Sequence, residues 1–207
     1  MVRKADIPKH VVDSALSLAE SRGWRGLSLA DIAVAAELPV ATVVRTYSSK
    51  EAILDGFRRR VDEAALAGCE AGDLDQPLKD RLFDILMRRF DAMGPHRAAL
   101  RVIARDVSRD PTAALRAACG LACSMKTMLE ASGVATGGVF GLVQAKGLAA
   151  IYLAVMRIWF NDESDDHAAT MAALDRRMQQ VDRLMSTVCR GLRRSHRRGA
   201  DADTEAA

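Results

Sequence analysis

The stretch that decides the fold is "LSLADIAVAAELPVATVVRTYSSKEAIL", residues 27–54. Ser28, with Asp31 three residues later, predicts a helix N-terminus at which the hydroxyl meets a free first-turn amide. Leu29, Ile32 and Ala33 give that helix an inner face, and a break at Glu37-Leu38 ends it after about two turns. Pro39 suits the first turn of the next helix, where its missing donor costs nothing. That helix ends by Tyr47, and Ser48 or Ser49 caps a further one with Glu51 in its first turn. Helices this short are unstable alone, because nucleation is costly. The two must share a core, read here as Leu27, Ile32, Leu38, Val43 and Tyr47. The pattern is a helix-turn-helix.

Working outward, a helix from about Pro8 to Glu20 buries Val11, Ala15, Leu16 and Leu18, and Gly23 stops it. Beyond Gly68 the segments lengthen. Leu78, Leu82, Ile85, Leu86 and Met93 recur at helical spacing; Pro95 opens a helix to about Ser108. Asp110-Pro111 starts another that runs to Ser132, "GVATGG" is a loop, and further helices cover about 139–160 and 167–194. The expected fold class is all-α: an N-terminal helix-turn-helix three-helix domain plus a C-terminal helical ligand-binding and dimerisation bundle. The expected boundaries are 1–48 for the first, with helix 49–66 as its link, 49–195 for the second, and a disordered tail at 196–207.

Composition agrees with helix. Hydrophobic residues make up 49% of the 207 and aromatics only 4%, so Ala, Leu, Val and Met carry the core, and Ala, Leu and Met lose little on entering a helix. A formal charge of +3 is too small to imply a polyanion partner without local clustering. "MVRKADIPKH" has no apolar core to serve as a signal peptide. "GLVQAKGLAAIYLAVMRIWF" is interrupted by Gln144, Lys146 and Arg157, so no membrane span is expected. The expected location is the cytoplasm, with Cys69, Cys119, Cys123 and Cys189 as reduced thiols.

The last helix steps through Met171, Leu174, Met178, Val181, Met185, Val188 and Leu192 by threes and fours, a heptad seam for a partner helix. The helix before it holds Leu148 among small residues, including Gly141, Ala145, Gly147 and Ala149. Packing within one chain would explain each pattern alone; a homodimer explains both together. Cys119 and Cys123, four apart, are expected to be core. Asp162, Glu163, Asp165 and Asp166 precede a helix start and are expected to serve its dipole. No Ser-His-Asp or His-x-x-x-His pattern occurs, so no enzyme, catalytic residue, metal site or cofactor is expected.

"LSLADIAVAAEL", "PVATVVRTY" and "YSSKEAIL", in that order, resemble the TetR family of transcriptional regulators over about residues 8–55. The resemblance implies that the third helix enters the major groove of double-stranded DNA, facing it with Pro39, Val40, Ala41, Val44 and Thr46, and with Arg45 as the strong donor. It also implies backbone contacts from Ser28, Thr42, Thr46, Ser49 and Lys50, the last beside a helix N-terminus that favours phosphate. Two positions depart from the family pattern. Val44 stands where an aromatic is common, and Glu37 stands at a turn that commonly has glycine. If that turn is left-handed, Glu37 costs ~1 kcal/mol relative to glycine. The resemblance further implies a small-molecule pocket in the middle helices. Phe83, Met87, Phe90, Leu121, Met125, Met128, Tyr152 and Met156 would line it with almost no charged residue among them, which suits an apolar effector. The function implied is a ligand-responsive repressor that binds a palindromic operator as a homodimer. A second resemblance, carried by Trp159, Asp162, Ser164, Asp165, Thr170 and Leu174 to Arg177, is to TetR-fold lipid-binding proteins of ubiquinone biosynthesis. It implies the alternative, an isoprenoid- or acyl-binding accessory protein with a vestigial DNA-binding head.

Overall fold

The computed structural model describes residues 3–69, 75–164 and 166–180. The elements, in order, are α1 (Ile7–Arg22), α2 (Leu29–Ala35), α3 (Val40–Thr46), α4 (Lys50–Leu66), α5 (Leu78–Met93), α6 (Arg97–Val107), α7 (Pro111–Ala131) and α8 (Gly138–Trp159). Among the described residues a further helix, α9, covers 168–180. There is no strand among the described residues. The protein is all-α, a small N-terminal head of α1–α3 on a larger helical body.

Local signals set the head. Gly23 at φ +81° ends α1, its amide donating to the Ala19 carbonyl at 2.9 Å. Ser28 and Asp31 form a reciprocal capping box at the start of α2, which satisfies two orphan amides at once. At its end, Leu38 N–H reaches the Ala33 carbonyl at 3.0 Å and Glu37 N–H the Val34 carbonyl at 3.1 Å. This is a Schellman closure, which requires a left-handed residue between. Glu37 is that residue, at φ 53°. Pro39 sits one position earlier than its sequence suggests: it is the N-cap of α3, and its carbonyl takes the amides of Thr42 and Val43.

The body grows from α4, which packs on α1, α5 and α7, while α7 packs along α8 and α6 lies against α1. Asp110 caps α7 through the amides of Thr112 and Ala113. The α8 start is tight because Gly141 lies under the Thr136 carbonyl, where a Cβ would strike the backbone. One contiguous apolar core joins head and body, from Val11, Leu16 and Ile32 through Ile53 and Phe57 to Phe90, Met125 and Trp159.

The heptad seam turns inward. Leu148, Leu174 and Met178 are buried in the chain's own core, which corrects their assignment to a dimer interface, whereas Met171 is half-buried. A three-four repeat specifies that a helix packs against something, and here the described part of α9 packs on its own body. Val181, Met185 and Val188 lie outside the described residues, as does the 196–207 tail. The apolar side left open is on α8: Val139, Phe140, Leu142, Val143, Leu153 and Ile158 are exposed. By length and composition α8 is the one described helix that meets the requirement for crossing a membrane, yet Ala145, Leu148, Tyr152, Val155 and Trp159 build its other side into the core. Cys119 and Cys123 are exposed, a second correction. The inward face of α7 is set by Leu121, Ser124, Met125 and Met128, and positions 119 and 123 fall about half a turn away from it.

Candidate nucleic-acid interface

Helix α3 is pinned at one point and open elsewhere. Val43 is fully buried, whereas Val40 and Val44 are 46% and 45% exposed. Pro39, Ala41 and Arg45 are also exposed, and Thr42 and Thr46 half-buried. The Thr46 hydroxyl donates to the Thr42 carbonyl at 2.8 Å, and an Arg45 Nη2–Thr42 Oγ1 contact of 3.4 Å leans the guanidinium along the helix. The outer face is therefore two valines, an alanine and one strong multidentate donor. Such a face can meet thymine methyls and a guanine edge.

The polar residues expected on the backbone have other partners. The Ser28 hydroxyl is engaged with Asp31 in the capping box. Ser49 Oγ accepts from the Ala52 amide and caps α4. Lys50 is engaged within the chain: its ammonium donates to the carbonyls of Trp24 and Arg25 at 3.0 and 3.1 Å and lies over the Trp24 ring. From the other side Asp106, on α6, accepts the amides of the same two residues at 2.9 and 3.2 Å. The loop before α2 is thus gripped on both its polar faces, by the start of α4 and the end of α6. The hydrogen bonds from Arg25 and Trp24 hold the Asp106 carboxyl below its ordinary range. Its grip is therefore complete above that range and is lost as pH falls through the lowered value. Sequence reasoning missed this clamp, since Asp106 lies 82 residues from Trp24.

The Tyr47 ring crosses α4 at Gly56, where a Cβ would touch it. This close approach sets the end of α3 against α4.

In the body, Phe90, Met125, Met128 and Tyr152 are fully buried, Leu121 nearly so, and Phe83, Met87 and Met156 pack against them. Phe90 stacks on Tyr152 at 4.7 Å. Charge does enter this region: Asp62 and Arg89 are both buried here and form an ion pair. The second Asp62 oxygen accepts from Ser124 at 2.6 Å and Arg58 at 3.2 Å. The Arg89 guanidinium lies over the Tyr152 ring at 5.3 Å, and burial pushes the Tyr152 phenol up to about 12. A signal was available: Arg89 falls on the apolar stripe of α5 between Leu86 and Met93, and Asp62 between Val61 and Ala65.

Of the residues of the second resemblance, Trp159 ends α8, Asp162 and Ser164 lie in the turn after it, and Thr170 and Leu174 to Arg177 lie on α9; Asp165 lies outside the described residues. Trp159 is fully buried under the Arg97 guanidinium at 4.8 Å. Burial works against ionisation of Asp162, yet hydrogen bonds from Ser164 and Thr170 overcome it and hold the carboxyl far below the ordinary range.

Fold and site together define an all-helical protein with a helix-turn-helix head on a helical bundle. Residues 11–56 match the family described as bacterial regulatory proteins, tetR family, and residues 146–185 match the COQ9 family. No curated protein matches the chain. Among solved structures, a TetR transcriptional regulator from Nitrosomonas europaea superposes with a TM-score of 0.69 at 22% identity, covering 84% of this chain and 97% of that one. One from Rhodococcus sp. RHA1 gives 0.58 at 15% identity, with 84% and 97% covered. The multidrug binding protein EbrR complexed with imidazole gives 0.50 at 18%, with 83% and 89% covered. Residues 11–56 are thus similar to the helix-turn-helix domain of that regulator family, and the chain has the fold of the solved TetR regulators.

Proposed function

We propose that the protein is a ligand-responsive transcriptional repressor that binds a palindromic operator as a homodimer. The observation that carries this reading is the form of α3: Val43 is sealed into the core while Val40, Ala41, Val44 and Arg45 stand free on the opposite side. The family match spans the same residues. Pairing is assigned to the open apolar side of α8, since an exposed patch of this kind invites a self-complementary partner. Two heads must then meet half-sites one helical turn apart. The effector is assigned to the body core around Phe90, Met125, Met128 and Tyr152, where pliable methionines can make room. EbrR, which shares the fold, is described as binding multiple drugs. The filling of that core would be transmitted to the head through α4 and the Asp106 grip. The protein, on this reading, performs no catalysis.

The test is selection of genomic fragments at stated salt. Palindromic sites that survive competitor DNA support the reading; binding that is wholly salt-sensitive and blind to sequence overturns it. Arg45→Ala should relax selectivity at one base pair per half-site by ~1–3 kcal/mol.

Two observations favour a second reading, a lipid-binding accessory protein. The COQ9 match covers most of α8 and the described part of α9, and α8 offers a long apolar side to a lipid. Co-purification of an isoprenoid or acyl lipid, without sequence-selective DNA binding, would favour it.

A further inference from the structure

We propose that Cys119 and Cys123 form a dithiolate site for a soft monovalent cation of the copper(I) class. Neither residue belongs to the apolar core or to the reading helix. Free cysteine is among the most buried residue types, yet both of these are exposed. They lie one turn apart on α7, on the side turned away from Leu121, Ser124, Met125 and Met128. Their neighbours around the helix are small, Ala122 on one flank and Gly120 on the other, and neither can cover a sulfur atom. Two accessible thiols therefore share one face.

Spacing decides between the two chemistries open to such a pair. Positions four apart on a helix hold their Cβ atoms about 5–6 Å apart, whereas a disulfide draws them to about 3.5–4.5 Å. Closing a disulfide within α7 would distort the helix. A bridging metal ion asks for no such movement. Two bonds of about 2.3 Å, the length of a zinc–thiolate bond, set the sulfurs up to about 4.6 Å apart when they lie in line with the ion. Side chains that start from a regular helix can span that distance.

The ligand set then selects the ion. Among the described residues no group of three or more His, Cys, Asp or Glu side chains could hold a metal, so the protein supplies two sulfurs. Thiolates favour soft ions. Zinc takes four ligands in a structural site and would be left half-coordinated, while a soft monovalent ion is satisfied by two sulfurs in line. Binding needs no oxidant: each thiol gives its proton to water, two metal–sulfur bonds form, and the oxidation states of metal and sulfur are unchanged. The complex, two thiolates around one monovalent cation, carries one negative charge. Arg116, exposed one turn before Cys119, offsets it; Lys126, one turn after Cys123, is paired with Glu130 at 3.7 Å.

The test is anaerobic competition for copper(I) against bicinchoninate, whose coloured complex fades as the protein takes the metal. The full chain is used with Cys69→Ser and Cys189→Ser, so that only this pair of thiols remains. No DNA is present, and the outcome is independent of the regulator reading. One copper(I) per chain should be withdrawn, and an excess of zinc(II) should leave it in place. A further Cys119→Ser or Cys123→Ser should weaken binding by about a hundredfold or more, through loss of chelation. Cys123→Ala with Thr127→Cys keeps two thiols at exposed positions but sets them eight residues, about 12 Å, apart along the helix. It should bind as weakly as the single-thiol variants. Helical circular dichroism checks that each variant folds. The proposal is overturned if no copper(I) is withdrawn, if one ion is taken up per two chains, if zinc(II) displaces it, or if the widely spaced pair competes as well as the native one.

Discussion

Head and body are held together by interactions of different reach. In the head, Ser28 pairs with Asp31, Gly23 with Ala19 and Leu38 with Ala33, each within a few residues along the chain. In the body, Asp62 meets Ser124 and Arg97 meets the Asp162 carbonyl across 62 and 65 residues. The caps and turns of the head are therefore specified locally, while the His10 ring joins α1 to the end of α2 through the Ala36 carbonyl across 26 residues. The aim of the head is not set locally: Asp106 from α6 and Lys50 from α4 hold the loop before α2. Local bonds build the reading surface, and distant ones decide where it points.

The contrast breaks first at Asp62. Removing one partner of a buried ion pair leaves the other uncompensated, so Asp62→Ala should cost about 3–5 kcal/mol in denaturant unfolding. Replacing the pair together, as Asp62→Leu with Arg89→Met, should recover much of that loss, since apolar side chains of similar volume often serve a core equally well. A loss below about 1 kcal/mol for Asp62→Ala, within the range of an ordinary surface pair, would mean that the distant polar contacts do not hold the body.

Two glycines on α8 sharpen the point. At Gly141 a Cβ would strike the Thr136 backbone, whereas at Gly147 it would meet nothing within 4 Å. Gly141→Ala should destabilise by about 1–3 kcal/mol, because a backbone must shift to admit it. Gly147→Ala should stabilise by about 0.5–1 kcal/mol through helix propensity alone. Opposite signs in thermal unfolding would show that the close approach of the turn before α8, not composition, governs small residues here. Equal signs would contradict the close approach.

This division also explains what the sequence made legible. The capping box, the stop at Gly23 and the burial of Val43 follow from spacings of a few residues, and they could be read directly. The apolar repeat of α9 was equally legible as a pattern. Periodicity names the face of a helix and not its partner, so Leu174 and Met178 were assigned to a second copy although they pack inward. Lys50 stands beside a helix N-terminus, where a phosphate role is the natural inference. The competing carbonyls of Trp24 and Arg25 come from a loop 25 or 26 residues away. Arg89 was hidden by its type rather than its position, because a charged residue on an apolar stripe is easily taken for its solvated edge.

The smallest effect tests the local side of the contrast. Glu37 holds φ 53° in the closure between α2 and α3, a conformation that costs a residue with a Cβ roughly 1 kcal/mol relative to glycine. Glu37→Gly should stabilise the protein by about that amount. Glu37→Ala should not, because alanine keeps the Cβ that causes the strain. The comparison separates backbone strain from loss of a charge, since both variants remove the carboxylate and only one removes the Cβ. Should the two shift the unfolding midpoint equally, strain at the turn is not what distinguishes this position. The angle between α2 and the reading helix would then depend on the body's grip more than on the head's own chemistry.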